Sequence, residues 1–163
     1  MDVTQLVDLV IVPTLHHIKL YSDEAVELIA GTIAQESAMG KYIHQVKGPA
    51  LGICQMEPAT YQDIYENFLK YRPSLREKLS QLCSEHLGAQ PNEMIGNLNY
   101  AVAMCRVHYF RVPKRLPKVG NVKAQAAYWK RWYNTPLGRG TEQEYVHNFK
   151  RYIGNGGLYT SIV

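Results

Sequence analysis

The sequence predicts a mainly α-helical domain, and three features carry that prediction. Apolar residues recur at helical spacing through most of the 163 residues. Prolines, glycines and serines mostly fall at the edges of those stretches. Residues 41–54 break the period and leave room for at most a short β-hairpin. No repeat, low-complexity tract or linker divides the chain, so residues 1–163 are expected to form a single domain.

Taken in order, Val3 to Val12 has helical spacing, with a stop or kink expected at Pro13. Ser22 suits a helix N-cap, and Asp23 and Glu24 suit the positive end of the following first turn. Val26, Ile29, Ala30 and Ile33 make an inward stripe toward Glu36, with Gly40 as the expected stop. Pro58 suits the first turn of the next helix, which runs through Ile64, Phe68 and Leu69 to Arg72-Pro73. Ser74 is the expected cap of a helix buried through Leu75, Leu79, Leu82 and Cys83.

A long helix is expected from Glu93 to Phe110, with Ile95, Leu98, Val102 and Cys105 inward. Residues 111–121 hold two prolines, a glycine and four basic residues, and so read as a connector. Ala124 to Trp132 and Thr141 to Tyr152 supply the last helices. Gly154, Gly156 and Gly157 predict a loosely ordered tail unless a neighbour packs on it.

The chain is long enough to bury a core without disulfides or a structural metal. Cys54, Cys83 and Cys105 are odd in number and widely spaced, which favours free thiols over a disulfide framework or zinc cluster. A formal charge of +4 and a pI of about 8.9 suit an anionic polymer in general. Outside the connector the cations are scattered, which argues against nucleic acid. Met1-Asp2 opens with an acid, and Leu6 to Leu15 is broken by Asp8 and Pro13, so no secretory signal is legible. That apolar stretch is also too short for a bilayer, and no stable membrane insertion is expected.

Glu36 is the leading chemical candidate. It follows Ile29 by seven residues and Ile33 by three, which places all three on roughly one helical face. A carboxyl held against apolar neighbours is harder to ionise, the property a general acid needs near neutral pH. Position alone equally fits an ordinary glutamate in a last helical turn.

The residues around it form an ordered set. Glu36-Ser37 is followed by Gly52-Ile53-Cys54-Gln55-Met56, then Pro58-Ala59-Thr60, Asn97-Leu98, Tyr133-Asn134 and Tyr145-Val146. This order resembles the lysozyme-like lytic transglycosylases, the group of goose-type lysozymes and soluble transglycosylases. There the pieces correspond to a Glu-Ser pair, a Gly-Leu-Met-Gln loop and an Ala-Tyr-Asn-Ala-Gly segment. The chain departs from that pattern at Pro49, Trp132 and Thr135, and Thr141 falls where several relatives carry a substrate-binding glutamate.

The resemblance implies a bilobal, lysozyme-like fold with a central substrate groove. It implies cleavage of the β-1,4 bond between N-acetylmuramic acid and N-acetylglucosamine in bacterial peptidoglycan, without metal or cofactor. Glu36 would be the acid and Tyr133 its catalytic partner, hydrogen-bonded to it, or else a buried polar group satisfying backbone. Gln55 would face an acetamido group or hydroxyl, or else brace its own loop, and Met56 would give a soft apolar wall. Ser37 would orient Glu36, touch the sugar or close the helix end. Asn134 would hold substrate or the nearby loop, while Tyr128, Trp129 and Trp132 either line the groove or pack.

Glycosidases commonly pair two carboxyl groups. Here Glu57 and Asp63 are the nearest candidates in sequence, and Glu57 suits guiding water, lying solvated or capping the next helix. Without an evident second acid, attack by the muramic 6-hydroxyl giving 1,6-anhydro ends is favoured over hydrolysis by a muramidase. A noncatalytic, particle-borne glycan-binding protein is the remaining reading. The expected partners are peptidoglycan glycan strands. A monomer is expected, in a phage virion or a host-lysis system that carries it to the wall.

Overall fold

The computed structural model describes residues 1–159 as a mainly helical chain with no β-sheet among them. Helices α1 (Val3–Leu6) and α2 (Val12–His17) are joined by a wider π-helical stretch, Val7–Ile11. There the Val12 N–H bonds the Val7 carbonyl, five residues back. Helical structure therefore passes through Pro13 instead of stopping at it. A proline lacks the N–H and crowds the carbonyl four residues behind, and a wider turn just before it relieves both problems.

Helix α3 (Asp23–Ser37) begins as expected, with Ser22 Oγ accepting from the Ala25 N–H at 3.1 Å. It ends before Gly40. Ala38, Met39 and Gly40 are consecutive left-handed residues, with φ of 50°, 56° and 78°. Ser37 Oγ donates to the Ile33 carbonyl at 3.0 Å and accepts from the Gly40 N–H at 2.9 Å, so a side chain closes the helix early. The expected loop follows. Its antiparallel pairing is confined to the isolated bridges His44–Leu51 and Leu51–Met56.

Helix α4 (Pro58–Asn67), a 3₁₀ turn (Leu69–Tyr71) and α5 (Pro73–Leu82) come next. Ser74 does not cap α5. Pro73 already holds its first position, where a missing N–H costs nothing, and Ser74 Oγ accepts from Lys78 Nζ instead. The single helix expected over 93–110 is divided into α6 (Glu93–Gly96) and α7 (Leu98–Phe110). Asn97 lies extended between them and accepts from the Tyr100 N–H at 2.9 Å as the α7 cap. Its amide also donates to the Leu82 carbonyl and Glu93 Oε1, both at 2.8 Å. One side chain thus pins three segments.

Helix α8 (Val122–Trp129) starts two residues earlier than expected because Asn121 caps it at Ala124. It passes into a π-helical turn, Lys130–Asn134, before reaching Trp132. Helix α9 (Glu142–Tyr152) opens with a reciprocal capping box between Thr141 and Glu144.

Helix α7 runs through the core, with every residue from Tyr100 to Val107 buried. It meets α3 through buried Thr32 and Tyr109, whose hydroxyls lie 2.7 Å apart. Helix α3 in turn lies along α9, where Asn148 Nδ2 donates to Gln35 Oε1 at 2.7 Å. A second, smaller apolar cluster of Ala126, Trp129, Tyr145 and Phe149 joins α8 to α9. Buried Glu27 was not anticipated. Its carboxylate accepts from the Gly120 N–H (2.6 Å), Gln125 Nε2 (2.7 Å) and the Leu158 N–H (3.0 Å), tying the glycine-rich tail to α3. All three cysteines are free thiols, with Cys54 and Cys105 buried and Cys83 partly so.

Candidate active site

The last turn of α3 delivers Glu36, and the last residue of α8 meets it. Trp129 Nε1 donates to Glu36 Oε1 at 2.8 Å. Removal from water pushes the Glu36 carboxyl up to about 7, against the pull of the indole N–H, which favours the charged form. The result is a carboxyl that still holds its proton near neutrality and stays partly open to the surface.

Of the two roles expected for Tyr133, the structure shows the backbone-satisfying one. Its hydroxyl donates to the Cys54 carbonyl at 2.7 Å, not to Glu36. A desolvated phenol must place its proton on some acceptor, and the Cys54 carbonyl supplies it. Burial holds the Tyr133 phenol neutral, its pKa raised well above the ordinary value. Tyr133 therefore clamps the 52–56 loop. Its ring packs edge-on against His108 at 4.8 Å and tilted against Tyr109 at 5.2 Å. His108 is pushed down to about 3 by burial first and by Arg111 second, so it is a neutral wall of this cluster.

Other expected contacts resolve into supports. Ser37 is fully buried and closes the helix end, so it is not placed to touch a sugar. Met56 is 3% exposed and belongs to the core, which removes it as a groove wall. Gln55, at φ 49°, turns its amide back onto the Gly52 carbonyl at 2.8 Å but keeps part of its surface accessible. Asn134 Oδ1 accepts from Lys130 Nζ at 2.8 Å, which places it with the neighbouring loop.

Trp132 is partly buried under the Arg131 guanidinium, 4.9 Å from its ring. Trp129 is fully buried, and Tyr128, with its hydroxyl on the Lys114 carbonyl, is nearly so. Both pack; neither lines a surface. Thr141 is the cap of α9.

The two further carboxylates are also located. Glu57 is exposed before α4 and makes no side-chain cap there. Asp63 binds Arg111 at 2.6 Å and Asn67 at 2.7 Å, and those contacts hold its pKa below the usual carboxylate range.

The residue missed as a partner of Glu36 is Trp129. The sequence carried only half of the signal: an indole N–H only donates, so a tryptophan inside an apolar helix needs a buried acceptor, but nothing local says which one. Among the described residues, no cluster of three or more His, Cys, Asp or Glu could hold a metal. No described helix is long and apolar enough to cross a membrane. Surface hollows of about 470, 690 and 370 Å³ lie beside Glu93, between α8 and α9, and beside Phe110, and Glu36 lines none of the three. Comparison with protein-family models, curated proteins and solved structures found no match for this chain.

Proposed function

We propose that this chain is a lysozyme-like enzyme that cleaves the β-1,4 bond between N-acetylmuramic acid and N-acetylglucosamine in peptidoglycan. The observation that carries this reading is the Glu36 carboxyl, desolvated to about 7 and held by an uncharged indole donor. Such a group gives up a proton on demand at neutral pH, which is what a departing sugar oxygen requires. The ordered resemblance around Glu36, Gln55 and Tyr133-Asn134 supplies the substrate class.

In the proposed reaction Glu36 protonates the glycosidic oxygen as its bond to the muramic C1 breaks. The substrate's own N-acetyl group supports the electron-poor carbon. The muramic 6-hydroxyl then bonds to C1 and returns its proton to Glu36, leaving a 1,6-anhydro end without consuming water. Tyr133 holds the 52–56 loop, and Gln55 with its accessible surface is the polar group of that loop offered to the sugar.

A bilobal arrangement belongs to this proposal. Its support is the pair of apolar clusters, one around α7 and one between α8 and α9, with Glu36 of α3 bonded to Trp129 of the smaller. Delivery to the wall by a virion or lysis system is part of the same reading.

Mass spectrometry of purified peptidoglycan digests, natural chain against Glu36→Gln, tests it. Glu36-dependent 1,6-anhydromuramic ends are expected. Reducing muramic ends would instead identify a muramidase, with the exposed and uncommitted Glu57 as the group to examine for guiding water. Binding of wall fragments with no turnover by the natural chain would leave only the glycan-binding reading.

A further inference from the structure

Lys130 opens the π-helical turn that carries Trp132, Tyr133 and Asn134. Its Nζ donates to Asn134 Oδ1 at 2.8 Å, the Gly138 carbonyl at 2.7 Å and the Gly140 carbonyl at 2.6 Å. Those three bonds use every N–H a lysine ammonium has. None of the acceptors is a carboxylate, so the side chain is satisfied by neutral oxygens of its own loop. A lysine serving only solubility would extend into water.

The loop so tied presses on Trp129. A Cβ at Gly140 would lie 2.6 Å from Trp129 Cη2 and 3.3 Å from Asn134 Nδ2. One at Gly138 would collide with the Asn134 side chain. The glycines let backbone and indole meet with no space for a methyl group. From the same indole, Nε1 reaches Glu36 Oε1. Contacts thus run unbroken from Lys130 to Gly140, to Trp129, to Glu36.

We propose that Lys130 is a positioning residue for Glu36, closing the 135–140 loop on the Trp129 indole and so holding the indole N–H against the carboxyl. The role rests on Glu36 being the acid of the proposed reaction. Its test needs no turnover, which keeps the two ideas separable.

The experiment is a carbon-detected titration of the ¹³C-glutamate-labelled full chain, with the Glu36 signal identified by its absence in Glu36→Gln. Lys130→Met keeps the aliphatic stem and removes the three donors. Gly140→Ala disturbs the same indole from the loop side. The natural chain should titrate near 7. Both variants should titrate higher by about 0.5 or more, since they weaken a hydrogen bond that favours the charged form.

A natural midpoint at the ordinary glutamate value sinks the acid reading itself. A natural midpoint near 7 that neither folded variant moves overturns the role of Lys130 alone. Circular dichroism checks folding; if Lys130→Met does not fold, Lys130→Gln replaces it and Gly140→Ala gives the independent answer.

Discussion

The indole of Trp129 and the carboxyl of Glu36 meet at 2.8 Å, ninety-three residues apart in the chain. Burial drives the carboxyl toward the neutral form and the indole N–H draws it back, so the pair sets where the acid titrates. Trp129→Phe keeps an aromatic ring in the core but removes that donor together with the outer ring that Gly140 meets. Glu36 should then ionise at a higher pH, and a reaction needing its protonated form should persist to higher pH. The measurement is the alkaline limb of the pH–rate profile. A limb unmoved in the folded variant would show that the indole does not tune the acid.

The same burial has a stability consequence with a definite sign. Glu36 is raised in the fold, so its contribution is fully present below its ordinary value and is lost as pH rises through about 7. Above that range the ionised carboxyl strains the fold, and Glu36→Gln removes the strain. The variant should be more stable than the natural chain at pH 8 by about 2–3 kcal/mol, allowing for partial solvent access. Below pH 4 the difference should vanish. Urea melts across pH read this directly, and equal stabilities at pH 8 would contradict it.

Much of the fold was legible because local chemistry and packing agreed. Ser22, Pro58 and the apolar stripe of α3 each specify a local choice that the rest of the chain accepts. The misplacements share one cause. Ser37, Pro73, Asn97 and Asn121 settle helix ends through specific hydrogen bonds or a missing N–H, and a periodic pattern does not report these. Glu36 was legible from its apolar face. Its partner was not, because which donor reaches it depends on α8 docking against α3. Met56 and Ser37 look chemical in sequence but spend their side chains on the core and the helix end.

Tyr133 separates loop clamping from acid tuning. Tyr133→Phe leaves the Cys54 carbonyl without its donor but keeps the ring contacts with His108 and Tyr109. A cost of about 1–2 kcal/mol in stability is expected. Turnover should fall as the 52–56 loop loosens, while the Glu36 midpoint stays near its natural position. Thermal melts and the carboxyl titration together check this. A large move of the midpoint would mean that Tyr133 acts on Glu36 after all.

Asn97 tests how the core is assembled beneath the site. Its side chain caps α7 at Tyr100 and reaches back to Leu82 and Glu93, so one truncation opens three contacts. An exposed cap is worth about 1 kcal/mol. Here two further partners lose a donor in a partly buried place, and Asn97→Ala should cost about 2–3 kcal/mol. Asn97→Asp keeps the capping oxygen but sets a second carboxylate against Glu93, so it should recover little of that loss. If Asp restored full stability in denaturant melts, the cap alone would matter, and the ties to Leu82 and Glu93 would contribute nothing.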